Sequence, residues 1–262
     1  MPGLPANLEP IITGGQSNVY RAPDGDSFIA VKTNQIGRPS SSAAFNREVG
    51  ILQRIASHPN IINVIDSGKM GDVSYYTMSW VDHSLADYIG RADYIKPQLR
   101  RIFQDICSAI AHIHNHGILH LDINPSNILL TEDLIPVVID FGLSRELGSP
   151  SPAFSRIPQG TYRYMPPEVW ASHIPSAASD IYSVGMTIFH LLTGSLPFDA
   201  TSIPNIMEAH KHITHPMLPL NSQWASLNYW FSKSITRNPV DRFFNVKESA
   251  KELDRALGTL FG

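Results

Sequence analysis

A single cysteine, Cys107, excludes an internal disulfide in this chain of 262 residues, which fits a reducing compartment. Cys107 stands among Phe103, Ile106 and Ile110, the surroundings of a core thiol rather than of a nucleophile. Charge is also scarce. Only 16% of residues are charged, the formal net charge is −3, and no long basic run occurs. Binding to nucleic acid or to an anionic membrane surface is therefore not expected, and neither is a disordered or coiled-coil chain. No apolar stretch suffices for a membrane span: the longest, IYSVGMTIFHLL at 181–192, is too short and too polar. The opening MPGLPANLEP has neither a basic start nor an apolar core, so no secretory signal is expected. The expected location is the cytoplasm, with the nucleus as the alternative. No internal repeat is visible.

The apolar share, 43%, is enough for a globular fold with a substantial core. The first eighty residues read mainly as strands. Ile11 and Ile12 precede a glycine turn, Val19 and Tyr20 follow it, and Phe28 to Val31 form another apolar run. Pro23-Asp24-Gly25 separates the last two, because Pro presets φ and Gly accepts positive φ. A helix fits 41–56, where Phe45, Val49, Leu52 and Ile55 share a face. Two more strands fit 61–66 and 73–80. From about residue 84 the pattern turns helical. Leu99, Ile102, Phe103, Ile106, Ile110 and Ile113 recur at helical spacing, as do Ile181, Val184, Ile188, Leu191 and Leu192, and later Val246, Ala250, Leu253 and Leu257. The expectation is an α+β, bilobal fold: a strand-rich N-lobe over about 1–80, a joining segment SWVDH at 79–83, and a helical C-lobe over about 84–262. Residues 143–165 have little periodicity, and so long a loop is usually functional.

The chemistry concentrates in HLDINPSNILL at 120–130 and IDFG at 139–142. Asp122 and Asp140 lie 18 positions apart, each beside a short apolar run, with Asn127 between them. Such a set is what phosphoryl transfer to a hydroxyl requires: one carboxylate for the attacking hydroxyl, and a second carboxylate with an amide oxygen for metal ions. Upstream, Lys32 closes the buried run IAVK and needs an anionic partner. Glu48, between Phe45 and Leu52 on the inner helix face, is the natural candidate. Closely spaced histidines offer a rival reading. His112 and His116 fall at i, i+4, a spacing that can bind zinc, but no glutamate lies inside the pair and no third ligand is evident.

Taken together with MPPE downstream, these motifs resemble the eukaryotic-type protein kinase domain, from about residue 8 to about 257. The resemblance implies one kinase domain over 1–262, with no regulatory domain attached. It implies an ATP- and Mg-dependent transfer of the γ-phosphoryl group to Ser/Thr hydroxyls of a protein substrate. TGGQSNVY at 13–20 would be the glycine loop, with Gly14, Gly15 and Ser17 near the phosphates. Here Ile12 and Ser17 replace the first and third glycines of the pattern. Lys32 would contact the α- and β-phosphates and Glu48 would hold it. Val19, Ala30 and Leu129 would wall the adenine pocket, Met78 guard its rear, and Ser79 and Val81 bond the adenine edge. HLDINPSN matches the catalytic loop through His120, Asp122 as base and Asn127 as metal ligand, with Asp140 the second ligand. Gly160 and Thr161 would belong to the peptide-substrate segment in its serine/threonine form. Glu168 would pair with Arg242, and Asp180 would support the backbone of the catalytic loop. Two departures stand out. Leu121 replaces an arginine that pairs with an activation-loop phosphate in many relatives, so control by that phosphate is not expected. Asn124 replaces the lysine that contacts the γ-phosphate. The alternative reading is therefore a pseudokinase, a nucleotide- or protein-binding module with little turnover.

Overall fold

The computed structural model describes residues 7–12, 17–35, 39–55, 57–150, 161–171, 173–198, 202–212, 218–219 and 222–261. Its first part is a five-stranded antiparallel sheet. The strands are β1 (Glu9–Ile12), β2 (Ser17–Asp24), β3 (Ser27–Asn34), β4 (Asp66–Met70) and β5 (Val73–Ser79), in the order β1-β2-β3-β5-β4. The turn between β2 and β3 is the expected one, with Gly25 at φ 60°, a conformation glycine adopts without strain. β3 is central, and alternation sends its residues to opposite faces. Val31 joins Ala22 and Tyr75 in a small cluster on one side, while Ala30 joins the main core with Tyr76 and Met78 on the other. Lys32 shares that second face by period two.

Helix α1 (Pro39–Arg54) packs on the sheet. It carries Phe45, Ile51 and Leu52 inward, with Ile55 buried just past its end. The chain from 61 to 66 is not the expected strand. Ile61 forms only an isolated bridge with Val138, and Ile62 N–H donates to the Val138 carbonyl at 3.0 Å. A short apolar run reads alike as a strand or as a buried connection; here it ties the sheet to the second part of the molecule, and pairing with β5 begins only at Asp66.

The rest is mainly helical. Helix α2 (Leu99–Asn115) buries the whole expected stripe from Leu99 to Ile113. Short strands flank it: β6 (His83–Ser84) before it, and β7 (Ile118–Leu119), β8 (Ile128–Leu130), β9 (Pro136–Val138) and β10 (Arg145–Glu146) after it. β6, β8 and β9 form one small sheet, β7 and β10 another. Then come α3 (Pro167–Trp170), α4 (Ala177–Thr193), α5 (Ile203–His212), α6 (Asn228–Ser234) and α7 (Val246–Phe261). Helix α4 is buried almost all round, the pattern of a helix at the centre of a core. Ser176 caps it, its side chain accepting from the Ala178 N–H at 3.3 Å. Gly185 lets α6 approach: a Cβ there would meet Ile235 Cγ1 at 2.8 Å and Ser234 Cβ at 2.9 Å. Cys107 is buried in this core. Among the described residues no helix is long and apolar enough to cross a membrane.

Candidate active site

The cleft between the two parts collects the expected residues. Lys32 Nζ lies 2.7 Å from Glu48 Oε1 and 2.9 Å from Asp140 Oδ1. Lys32 and Glu48 are both buried, whereas the Asp140 side chain keeps 41% of its exposure. Burial disfavours the ammonium, but Asp140 and Glu48 together outweigh it and hold Lys32 well above its ordinary pKa. Lys32 therefore stays charged. Tyr76 adds a contact that sequence reasoning missed, its hydroxyl donating to Glu48 Oε1 at 2.9 Å. The signal lay in strand register, since Tyr76 stands opposite Lys32 across β3 and β5, and register is not legible from one strand alone.

The loop after β7 carries Asp122, and Asp180 of α4 fixes it from beneath. Asp180 Oδ2 accepts from His120 N–H at 2.9 Å and Oδ1 from Leu121 N–H at 2.8 Å. His114 Nε2 lies 2.7 Å from Oδ2. Burial alone would raise the Asp180 pKa, but His114 and the backbone N–H group reverse this and hold the carboxyl below its usual range. These bonds sustain strain. Leu121 sits at φ 64°, a left-handed conformation costly for a branched side chain. Asp180 is thus an anchor in the first turn of α4 rather than its cap. The Leu121 side chain is buried.

His120 ties this loop to the Asp140 segment. The Asp122 N–H donates to His120 Nδ1 at 3.2 Å, and Nε2 lies 3.1 Å from the Ile139 carbonyl. Nδ1 therefore carries no proton, and Nε2–H is the donor to Ile139. Burial holds His120 below its ordinary pKa, consistent with that neutral tautomer. Its ring packs 4.7 Å from Phe141. Asp140 itself stands at φ 63°, a second strained residue in the cleft.

Asp122 Oδ1 accepts from Thr161 Oγ1 at 2.8 Å and from Asn124 Nδ2 at 2.9 Å. The Asn127 side chain also acts on this carboxyl. Burial first, and then repulsion from Asp140, push the Asp122 carboxyl up to about 8. For Asp140, burial is outweighed by the Lys32 charge, which holds the carboxyl low. One carboxylate is thus poised near neutrality and the other stays ionised, the separation that acid–base division of labour requires.

Asn124 does more than replace a lysine. Its Oδ1 accepts from Ser126 N–H at 3.0 Å and caps the turn Pro125–Asn127. The expectation saw a missing charge; the structure adds a local cap and a donor to Asp122, both within the short-range habit of asparagine. Asn127 Nδ2 donates to the Asp122 carbonyl at 2.8 Å, leaving its Oδ1 without a partner among the described residues. Asp140 Oδ2 is likewise unused. These two hard oxygen donors suit a small divalent cation, and the Asp140 carboxyl stays ionised.

The remaining expected residues fall as follows. Val19 on β2, Ala30 on β3, Met78 on β5 and Leu129 on β8 all pack in or against the main core. Ser17 begins β2, Ser79 ends β5, and Val81 follows it before β6. Gly14, Gly15 and Gly160 lie outside the described residues. Glu168 and Arg242 meet at 2.7 and 2.9 Å in a two-pronged contact. Arg145 of β10 directs its Nη1 to the carbonyls of Leu143 and Ser144. His112 Nε2 lies 3.3 Å from the Ile55 carbonyl and His116 Nδ1 2.9 Å from the His112 carbonyl. Both rings are thus turned to backbone, and among the described residues no group of three metal-ligating side chains forms.

Comparison with known proteins shows the family. The family model described as "Protein kinase domain" matches residues 7–253. The chain is 31% identical to the probable serine/threonine-protein kinase PknB of Lactococcus lactis, over 92% of this chain and 40% of that protein. It is 31% identical to the serine/threonine-protein kinase PrkC of Bacillus subtilis, over 95% of this chain and 39% of that protein. To the serine/threonine-protein kinase PknB of Mycolicibacterium smegmatis it is 30% identical, over 92% and 41%. The chain thus spans about two fifths of the length of these curated relatives.

Proposed function

The chain belongs to the protein kinase family, and we propose that it transfers the γ-phosphoryl group of ATP to serine and threonine hydroxyls of protein substrates. On this reading residues 1–262 act as one kinase domain with its joining segment at 79–83. The carrying observation is the geometry of one cleft: Lys32 between Glu48 and Asp140 at 2.7 and 2.9 Å, and Asp122 bonded to Thr161 on a loop that Asp180 anchors.

Lys32, fixed by Glu48 and Tyr76, presents a permanent positive charge toward phosphate oxygens. Asp122, its carboxyl oriented by Thr161 and Asn124, positions the substrate hydroxyl and accepts its proton. Asp140 and Asn127 would hold Mg²⁺, which when bound neutralises charge on the phosphates. Val19, Ala30, Met78 and Leu129 would enclose the adenine, with backbone groups of Ser79 and Val81 bonding its edge. Thr161 fixes the substrate segment against the base, the arrangement expected for hydroxyl acceptors on serine and threonine.

The test is transfer of label from γ-labelled ATP to a panel of generic protein acceptors, with Mg²⁺ and with chelator, followed by phosphoamino-acid analysis. Label on serine and threonine that requires the metal supports the reading. Nucleotide binding without transfer would favour the binding-module alternative, for which Asn124 in place of the family's lysine is the specific motive.

A further inference from the structure

The turn that begins at Thr161, the residue bonded to the base, carries a cation that the proposed chemistry does not use. Thr161 is locked to Asp122, and Arg163 follows it by two residues in the same short turn. Two residues of chain span at most about 7 Å, so the Arg163 side chain lies within a short peptide's reach of the acceptor position. The turn is held on its other side too. Tyr164 N–H donates to the Thr161 carbonyl at 3.0 Å, Ser183 Oγ donates to the Tyr164 carbonyl at 2.9 Å, and the Tyr164 hydroxyl lies 2.7 Å from His190 Nδ1. Tyr162 and Tyr164 turn inward, whereas Arg163 is exposed. It is close enough to Tyr164 and His190 to act on both electrostatically.

Among the described residues Arg163 forms no ion pair. Ser126, the exposed residue of the loop bearing Asp122, is neutral. Asp87, toward the joining segment, already accepts from Ser84 N–H at 2.8 Å and faces His83 at 3.8 Å. An exposed guanidinium that forms no ion pair among the described residues, two positions from the threonine bonded to the base, is suited to a carboxylate supplied by the substrate, which arginine's planar fork recognises in a two-pronged contact.

We propose that Arg163 selects protein substrates bearing an acidic residue within a few positions of the phosphorylated hydroxyl. The inference rests on the kinase reading for the identity of the acceptor, but its binding component can be measured without turnover. Opposite charges favour the correct partner and like charges exclude the wrong one. The probes are serine peptides in an alanine background, with aspartate or lysine placed at each position on either side. The parent chain should phosphorylate the best aspartate peptide with kcat/KM about tenfold or more above its lysine counterpart. Arg163→Glu should reverse that order, a gain on lysine peptides that misfolding cannot produce. In parallel, fluorescence anisotropy should follow the same peptides with the acceptor serine replaced by alanine.

Transfer that ignores flanking charge, or a preference that Arg163→Glu leaves unmoved, overturns the inference and leaves the kinase reading standing. Selective binding of acidic peptides that Arg163→Glu reverses, without transfer to any acceptor, supports the inference and overturns the kinase reading. Absence of both binding and transfer overturns both.

Discussion

Two buried charge clusters in this molecule look alike in the sequence and differ in completeness. In the helical part, Arg242 meets Glu168 through both Nη atoms, and every remaining donor direction is taken. Nε donates to the Thr236 carbonyl, Nη1 also to Ala178 and Nη2 also to Arg237, at 2.8 to 3.0 Å. Ser179 Oγ completes Glu168 at 2.8 Å, and the guanidinium lies 4.7 Å from the Tyr182 ring centre. One cation faces one anion, and nothing is left over. In the cleft, one ammonium faces Glu48 and Asp140 directly, with Asp122 near enough to Asp140 for repulsion. Oxygens remain unused, Asp140 is partly open, and two residues hold positive φ without being glycine. A closed cluster specifies the fold. An open one with surplus negative charge and stored strain awaits a ligand.

The largest effect is expected in the open cluster. Asp122→Asn should lower transfer by about 10²–10⁴-fold, the usual weight of a general base, with ATP affinity within a few-fold. It should also stabilise the ligand-free protein. The Asp122 carboxyl moves from 3.8 to about 8 on folding, burial being the main cause. A group raised in this way leaves stability intact below the unfolded value and withdraws it as pH rises through the folded value. The melting temperature of Asp122→Asn should therefore match the parent near pH 4 and exceed it increasingly toward pH 8. Melting below the parent at pH 8, or undiminished transfer, would remove Asp122 from this role.

The closed cluster should behave oppositely. Arg242→Ala strands Glu168 away from water at roughly 3–5 kcal/mol, on the order of ten degrees in Tm for a chain of this size. Stability should fall without a selective rise in the KM for ATP. Arg242→Lys keeps the charge but loses the fork, so its loss should be smaller. Calorimetry of the three proteins checks this, and an unchanged Tm for Arg242→Ala would contradict it. A double-mutant cycle on Lys32 and Glu48 should show the open cluster acting as a unit in catalysis. Each alanine variant alone misplaces the phosphates, so the pair should be little worse than either, with coupling of about 1–3 kcal/mol in kcat/KM. Simple additivity would separate the two residues.

The sequence revealed the polar ends of both clusters, because a lysine closing an apolar strand and a glutamate on an inner helix face are conspicuous. Pairs as distant as Glu168 and Arg242, 74 positions apart, were visible only through resemblance to the kinase pattern. What stayed hidden depends on register and on local bonding. Tyr76 reaches Glu48 because β3 and β5 align it with Lys32. His114 on α2 reaches Asp180 on α4 at 2.7 Å, across 66 positions of chain. Residues 61–66 were misread because a lobe-joining segment can be as apolar as a strand. Asn124 was read by its missing charge, when its amide is equally a cap for the following turn.

The smallest expected effect is also the finest comparison of open with closed. Asn124→Lys adds a second cation to the open cluster, near the phosphoryl group being transferred. Asn124 is 8% exposed, so the charge acts through a lowered dielectric and is felt more than on the surface. The same substitution removes the acceptor that caps Ser126, a loss of about 1 kcal/mol, and the side chain must fit where an amide packed. Turnover should rise less than tenfold, a balance of charge gained against a cap lost, while the KM for ATP changes less. The added ammonium should also lower the Asp122 pKa, moving the acid limb of the rate profile to lower pH. Asn124→Ala separates the two effects: it loses the cap and the donor without gaining charge, so kcat and Tm should both fall. Parallel pH–rate profiles and melts of the parent and both variants decide. If Asn124→Lys raises neither kcat nor the activity at low pH in an active parent, the cleft already obtains its positive charge elsewhere, and the amide at 124 serves the loop rather than marking a defect.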